Sequence, residues 1–369
     1  MIKSLYVHVP FCLRKCNYCD FYSLPVATVR DMFHDYPRLL ERELSLWQER
    51  IELNSLSTIY FGGGTPSLLE PENIAHFLEQ LSYFQAEITL EANPETLDQQ
   101  RLQAYRKAGI NRLSLGAQSF DAQRLQEMGR QHSPKQTRLA VSDARRAGFE
   151  NIGLDLIYGL PGQSLADWAL DVEQALELET EHISLYGLTI SQQCPWGRAG
   201  VTPQDDDAQA DMIELAIERL TQAGFRQYEI ANFAKPGFHS RHNSAYWQRE
   251  DYLTLGPAGA GCIGSHRWNN VNDLAAWAKA VERGQLPLEG EEQLSIDQVI
   301  AEAIFLGLRL LEGIDCRQFA ERYGVDPRKR FKREISRMEK AGLLEEADER
   351  LRLTQRGVML GDDVFAEFV

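Results

Sequence analysis

Cys12, Cys16 and Cys19 lie within eight residues, in "YVHVPFCLRKCNYCDFY", with the spacing C-x3-C-x2-C. Thiols this close, behind an N-terminus "MIKSLYVHVPFC" that does not read as a secretory leader, are expected to be metal or redox ligands and not disulfides. Three thiolates on one short loop can hold three irons of a cubane cluster and leave the fourth iron open to a substrate. The alternative is zinc with His8 as fourth ligand, but zinc sites usually split their ligands into two separated pairs. Cys194, Cys262 and Cys316 are isolated and are expected to be ordinary buried thiols.

Other stretches could bind a ligand. "GGGTPS" runs from Gly62 to Ser67. Its glycines would let backbone approach a ligand, although a tight strand-to-helix turn also asks for them. Glu91, Gln118 and Asp155 interrupt the apolar runs "TLEANP", "GAQSF" and "GLDLIYGLP". A buried carboxylate is costly unless paired or hydrogen-bonded, so two of them in core strands point to a ligand site. "HNSAYW", His242 to Trp247, sets an imidazole beside aromatic rings. That set suits a flat porphyrin, or equally a hydrogen-bonded structural histidine, with His239 a second candidate iron ligand.

The elements that must position these residues follow a βα rhythm. "LYVHVP" (Leu5 to Pro10), "STIYFGGG" (Ser57 to Gly64), "EITLEAN" (Glu87 to Asn93), "RLSLGAQ" (Arg112 to Gln118), "NIGLDLIYGLP" (Asn151 to Pro161) and "HISLYGLTI" (His182 to Ile190) read as strands. Between them, "DYPRLLERELSLWQERIEL" places Leu39, Leu40, Leu44, Trp47 and Ile51 three and four apart, and "LDQQRLQAYRKAG" and "PKQTRLAVSDARRAG" end in glycine as helices do. Strands this continuously apolar imply a parallel sheet with helices outside. The cysteines then fall on the loop at the C-terminal end of the first strand, where such sheets place their sites. The fold class is α/β, a partial or full (β/α) barrel over 1–235. A segment over 236–290 that carries "HNSAYW" connects it to a smaller, mainly helical, winged-helix-like domain over 291–369. In that last domain Arg and Lys are mixed with many acids, which favours a docking role over DNA binding.

The 369 residues are 43% hydrophobic and 25% charged, an ordinary globular balance. Thirty-nine basic against 54 acidic residues give a formal charge of −15, which argues against a broad phosphate-binding face and hence against a nucleic-acid partner. No apolar run is long enough to span a membrane, which leaves peripheral association open. The expected compartment is the cytoplasm.

C-x3-C-x2-C after the first strand and "GGGTP" after the second resemble the radical S-adenosylmethionine (SAM) superfamily. "YVHVPFCLRKCNYCDF" is similar to its oxygen-independent coproporphyrinogen III oxidase-like branch, and "RHNSAYW" to the heme chaperones within that branch. The resemblance covers nearly the whole chain. It implies a 4Fe-4S cluster on Cys12, Cys16 and Cys19, and SAM held by Tyr6, Tyr18, Gly63, Gly64, Thr65, Glu91, Gln118, Arg130 and Asp155. Arg130, in "EMGRQHS", would face the carboxylate of SAM. It further implies heme near His242, Asn243, Tyr246 and Trp247, and an acceptor protein to receive that heme.

Two other functions compete with heme delivery. One is the oxidase itself, which decarboxylates two propionates by radical abstraction. Three features oppose it: the oxidase motif continues as C-x3-C-x2-C-x-C whereas Phe21 stands here, the oxidase carries a long segment before its first strand, and "HNSAYW" matches the chaperones. The other is a structural iron–sulfur or zinc protein without radical chemistry.

Overall fold

The computed structural model describes residues 2–53 and 55–369. The six expected strands form as β1 (Ser4–Val9), β2 (Leu56–Gly63), β3 (Tyr83–Ala92), β4 (Arg112–Gln118), β5 (Ile152–Tyr158) and β6 (His182–Gly187). They pair in chain order and in parallel. A long helix follows each: α1 (Arg30–Gln48), α2 (Pro71–Glu79), α3 (Gln99–Ala108), α4 (Pro134–Arg146), α5 (Leu165–Leu176) and α6 (Asp206–Gln222). Helix α1 starts earlier than its periodicity predicts. It takes Pro37 into its interior, forfeiting the bond that the Phe33 carbonyl would receive, and ends before Ile51.

The sheet stays open, so the architecture is a partial barrel. Beyond β6 lie β7 (Arg226–Gln227) and β8 (Asn232–Ala234). Beyond β1 lie β9 (Tyr252–Leu255), parallel to it, and then antiparallel β10 (Ala260–Ile263), β11 (His266–Asn270) and β12 (Leu288–Gln293). Residues 236–290 therefore extend the main sheet. They also hold two short helices, α7 (Arg241–Trp247) and α8 (Leu274–Glu282), neither of which the sequence pattern revealed.

The strands are not continuously apolar, as the sequence pattern suggested. They alternate. Leu5, Val7, Val9, Ile59, Phe61, Ile88, Leu90, Leu113, Leu115, Leu154 and Leu156 form one buried apolar face in the main core. The opposite face is polar and stays in register across the sheet: Tyr6 opposite Tyr60, Tyr60 opposite Thr89, Glu91 opposite Ser114, and Asp155 between Gly116 and Ser184. That polar face lines the concave side, where the site lies.

Toward the C-terminus, Ile304, Phe319, Phe331, Ile335, Leu351 and Phe365 build a second core. Its three-stranded sheet sets β15 (Arg350–Leu353) between β13 (Ile314–Asp315) and β14 (Leu344–Ala347), with the helix Lys332–Lys340 ahead of the β14–β15 hairpin. This is a winged-helix-like arrangement.

One buried carboxylate ties the added strands to the barrel. Glu43 on α1 is 0% exposed and accepts from Gly256 N (2.8 Å), Asn270 Nδ2 (2.7 Å) and Trp277 Nε1 (2.9 Å). Burial pushes its pKa up to about 7 against those three bonds. The folded state therefore holds this proton more tightly than the unfolded chain. The Glu43 contribution to stability is full below about pH 4.5 and is lost as pH rises through about 7. Glu43→Ala leaves three donors unpaired and should cost about 3 kcal/mol in urea unfolding near about pH 5. It should also flatten the decline in stability toward neutral pH; an unchanged unfolding midpoint would show that Glu43 ties nothing.

Candidate functional site

The cysteine loop leaves β1 at Val9 and is closed at its base. Leu24 N donates to Pro10 O (2.8 Å), and Phe11 and Cys12 pair with Leu24 and Pro25. Within the loop Asn17 is fixed three ways: its N–H bonds Met128 O (2.9 Å), its side chain bonds Glu127 O (2.8 Å), and its carbonyl accepts from Trp196 N (2.9 Å). Cys12, Cys16 and Cys19 are free and half-buried, while Cys194, Cys262 and Cys316 are buried. Burial raises the Cys12 thiol and pushes Cys19 up to about 11, and a bound cationic centre would lower both. Among the described residues no three His, Cys, Asp or Glu side chains converge on the position of a single metal ion. A cubane, with each sulfur on its own iron, spaces its thiolates more widely, and the loop fits that group better.

The three cysteines open on a cavity of about 420 Å³ at the C-terminal ends of the strands. Tyr18, Gly63, Gly64, Thr65, Glu91, Gln118, Arg130 and Asp155 line the same cavity. A hydrogen-bond chain connects two of the sulfurs. Thr65 Oγ1 donates to Cys12 Sγ (3.5 Å) and accepts from Asn93 Nδ2 (3.0 Å). Arg130 Nη2 donates to Asn93 Oδ1 (2.6 Å) and to Gly116 O (2.8 Å), and its Nη1 reaches Cys16 Sγ at 3.7 Å. Glu91 accepts from the Tyr60 hydroxyl (2.8 Å) and from Gly63 N (3.1 Å); burial, helped by the nearby Asp155 charge, pushes its pKa up to about 7. Asp155 accepts from Ser114 Oγ (3.0 Å), and burial raises it as well. Gln118 sits at φ 65°, beyond an irregularity in the β4–β5 ladder. A left-handed backbone is strained for glutamine, and a bulge there turns the side chain toward the cavity.

The glycines serve a closer purpose than ligand access. A Cβ on Gly63, itself at φ +107°, would lie 2.6 Å from the His8 ring, and one on Gly64 would lie 2.6 Å from Phe11 O. The turn presses onto β1, and only glycine fits.

Tyr6 lines a different cavity, of about 530 Å³, together with His8, Phe21, Tyr246, Trp247 and Cys262. Phe21 is shared with the first cavity. His8 uses both nitrogens, one on Tyr22 O (3.0 Å) and one on the Tyr6 hydroxyl (3.3 Å), and does not line the cysteine cavity. The zinc alternative with His8 as fourth ligand is corrected on that ground.

The expectation that His242 ligates heme iron does not fit this geometry. Its ring is 1% exposed, with Nδ1 on Thr58 Oγ1 (2.8 Å) and Nε2 on the Tyr246 hydroxyl (2.9 Å). It stacks on Tyr60 at 4.9 Å, and Glu87 accepts its N–H at 3.0 Å. Burial lowers its pKa to about 3. The imidazole is therefore a neutral structural group in the wall. Asn243 lines neither cavity; its N–H bonds the N-capping Ser240 hydroxyl (3.3 Å). His239 is exposed, stacked on Tyr228 at 4.3 Å, and likewise lines neither.

Sequence reasoning missed Asn17, Tyr60, Asn93 and Ser114. Asn93 carried a signal, a polar residue before proline at a strand end, and Ser114 and Tyr60 sit on the alternate face that Glu91 and Asp155 mark.

The fold and the cysteine loop define a radical SAM protein. Residues 6–175 match the radical SAM superfamily and residues 294–360 the HemN C-terminal domain. The structure of coproporphyrinogen III oxidase (HemN) from Escherichia coli, a radical SAM enzyme, is similar at TM-score 0.86 and 23% identity, over 99% of this chain and 89% of that one. At that identity the likeness shows the fold. The chain is 34% identical to the heme chaperone HemW of Bacillus subtilis (strain 168), over 100% of this chain and 99% of the relative. It is 36% identical to the heme chaperone HemW of Mycobacterium tuberculosis (strain ATCC 25618 / H37Rv), over 98% and 93%. The chain belongs to the HemW family, within the oxygen-independent coproporphyrinogen III oxidase-like radical SAM proteins. Membership of the radical SAM superfamily implies a 4Fe-4S cluster and SAM. Among the described residues no helix is long and apolar enough to cross a membrane.

With both nitrogens engaged, the His242 ring should stay neutral to about pH 4, read from its ring-nitrogen shifts by NMR. His242→Ala orphans the Thr58 and Tyr246 hydroxyls and should destabilise the fold by about 2 kcal/mol. Titration near the ordinary histidine value would instead mean an open, solvated ring.

Proposed function

We propose that this chain is a heme chaperone of the cytoplasm, which binds heme and passes it to an acceptor protein while carrying a SAM-binding 4Fe-4S cluster. The observation that supports this most directly is the pair of adjoining cavities, one lined by the three cysteines and one lined by Tyr246 and Trp247 of the "HNSAYW" segment. The names of its relatives point the same way. In this reading 1–235 holds cluster and SAM, 236–290 builds the heme side, and 291–369 is the docking domain.

Cys12, Cys16 and Cys19 would hold three irons. The bound cluster supplies the electron that cleaves the sulfonium carbon–sulfur bond of SAM. The chain's residues bind and orient. Gly63 and Gly64 bring backbone to the ligand, Arg130 offers its guanidinium beside Cys16, and Glu91 and Asp155 set carboxyls where a cation would lie. Gln118, Thr65 and Tyr18 complete the walls. Tyr6 acts from the far side of the Tyr60 stack (6.0 Å) and not by direct contact.

Each of Cys12→Ser, Cys16→Ser and Cys19→Ser should abolish the brown chromophore of anaerobically reconstituted protein; single variants with full iron and sulfide would overturn the cluster assignment. Because Glu91 titrates near about 7, the SAM cation should bind more tightly as pH rises through that value. Glu91→Gln should remove the dependence in a calorimetric titration, and an unchanged profile would take Glu91 out of the contact. The function itself is tested by incubating cluster-loaded protein with dithionite, SAM and coproporphyrinogen III. No protoporphyrin is expected, and heme should move to a co-purified acceptor; catalytic protoporphyrin would make the chain an oxidase.

A further inference from the structure

The second cavity contains few groups that could ligate an iron. His8 and Tyr6 are bonded to each other, the Tyr22 hydroxyl accepts from Leu274 N (2.7 Å), and the Tyr246 hydroxyl is held by His242. Burial pushes the Tyr252 phenol up to about 12. Cys262, on β10 opposite Tyr252, remains. Cys262 is 7% exposed and lines the cavity, and the one hydrogen bond of its sulfur among the described residues is a weak 3.9 Å approach to Gly264 O.

A second observation points to a ligand beside that sulfur. Arg249 lines the same cavity, is 8% exposed and sits at φ 52° directly after the "HNSAYWQ" turn. Its Nη1 donates to Gly264 O (3.1 Å), the carbonyl that Cys262 approaches, and its Nε pairs with Glu302 (3.1 Å). Its Nη2 is buried and has no partner among the described residues. An unpaired guanidinium nitrogen is costly to bury and fits an anion. Burial raises the Cys262 thiol and Arg249 opposes that rise; thiolates form beside arginine, and cysteine thiolate is an established class of axial heme ligand. Glu250 and Glu302 line the cavity too, but Glu302 is neutralised by Arg249 and Arg267. The volume lies within the range of roughly 300–1,000 Å³ usual for cofactor pockets.

Resting on the reading that this cavity carries heme, we propose that Cys262 is the axial ligand to its iron, with Arg249 as counter-charge to the thiolate, and that His242 only shapes the wall. As ferric heme enters, the iron–sulfur bond forms and the thiol proton leaves to solvent; no electron moves.

The test is a hemin titration of the anaerobically reconstituted full chain, followed by reduction and carbon monoxide. The wild type should show the strongly red-shifted Soret band of a ferrous–CO heme with a thiolate opposite. Cys262→Ser should lose that band and weaken hemin binding by about tenfold or more. Cys262→His should bind hemin with an imidazole spectrum, and His242→Gln should keep the thiolate spectrum. Arg249→Gln should shift the onset of the thiolate form to higher pH. Iron and sulfide content, unchanged in all variants, reports that the fold survives. Wild-type spectrum and affinity in Cys262→Ser, or imidazole or phenolate ligation in the wild type, would overturn the assignment. A wild type with a full cluster that takes up no hemin would overturn the chaperone reading itself and the ligand assignment with it.

Discussion

The approach of the Gly62–Gly64 turn to β1 is the contact on which the cysteine site depends. With no side chains between them, Gly64 N reaches Val9 O (2.9 Å) and Thr65 N reaches Phe11 O (2.7 Å). Those bonds continue the β1–β2 ladder past the sheet edge and fix where the cysteine loop begins. Thr65 is thereby brought under Cys12, and Asn93 and Arg130 extend the contact to Cys16. Any Cβ at Gly63 or Gly64 would meet a ring or backbone that cannot yield cheaply. The loop's far side is pinned independently through Asn17 to the Met128 and Trp196 segments. The sulfurs are thus positioned by two anchors within the chain itself.

What the sequence made legible was local. The C-x3-C-x2-C spacing, the six strands and the glycine ends of α3 and α4 (Gly109 at φ 113°, Gly148 at φ 89°) are written in short windows. What escaped it was non-local. The polar alternate face of the barrel looked like isolated intrusions, because β-branched and small residues blur a period of two. Tyr60 and Ser114 are unremarkable in their own strands and matter only through Glu91 and Asp155, 31 and 41 residues away. His242 shows the same limit. Its motif neighbours suggested a porphyrin, while Thr58, 184 residues distant, takes one ring nitrogen and changes what the imidazole can do. Tyr6 went to the other cavity because it shares a strand face with His8, whereas the cysteines lie beyond the strand's end.

The cysteine cavity is tuned for a cation by what it withholds. Glu91 and Asp155 are half-buried; lost hydration raises both, and the Asp155 charge raises Glu91 further. The hydroxyls and the one N–H that face them offset only part of the lost hydration. A carboxyl held this close to neutrality regains its charge when a cation enters, so the binding energy is released only with the ligand in place. Arg130 supplies the opposite pole beside Cys16. A zwitterion would find both carboxyls and a guanidinium on the lining of one cavity, which discriminates against simple anions and simple cations alike.

The wall between the two cavities carries its own argument. Glu91 holds Tyr60; Tyr60 stacks on His242 and on Tyr6; His242 holds Tyr246, whose ring meets Tyr252 edge-on at 4.6 Å. Tyr60 and His242 are buried, the ends of the chain half-buried, and the hydrogen bonds at Glu91 and Tyr246 fix where the rings sit. The chain reaches the second cavity through Tyr246, within one helical turn of Arg249. The two pockets are thus divided by one aromatic stack, held by Glu91 on the side of the cysteines and ending at Tyr246 on the other.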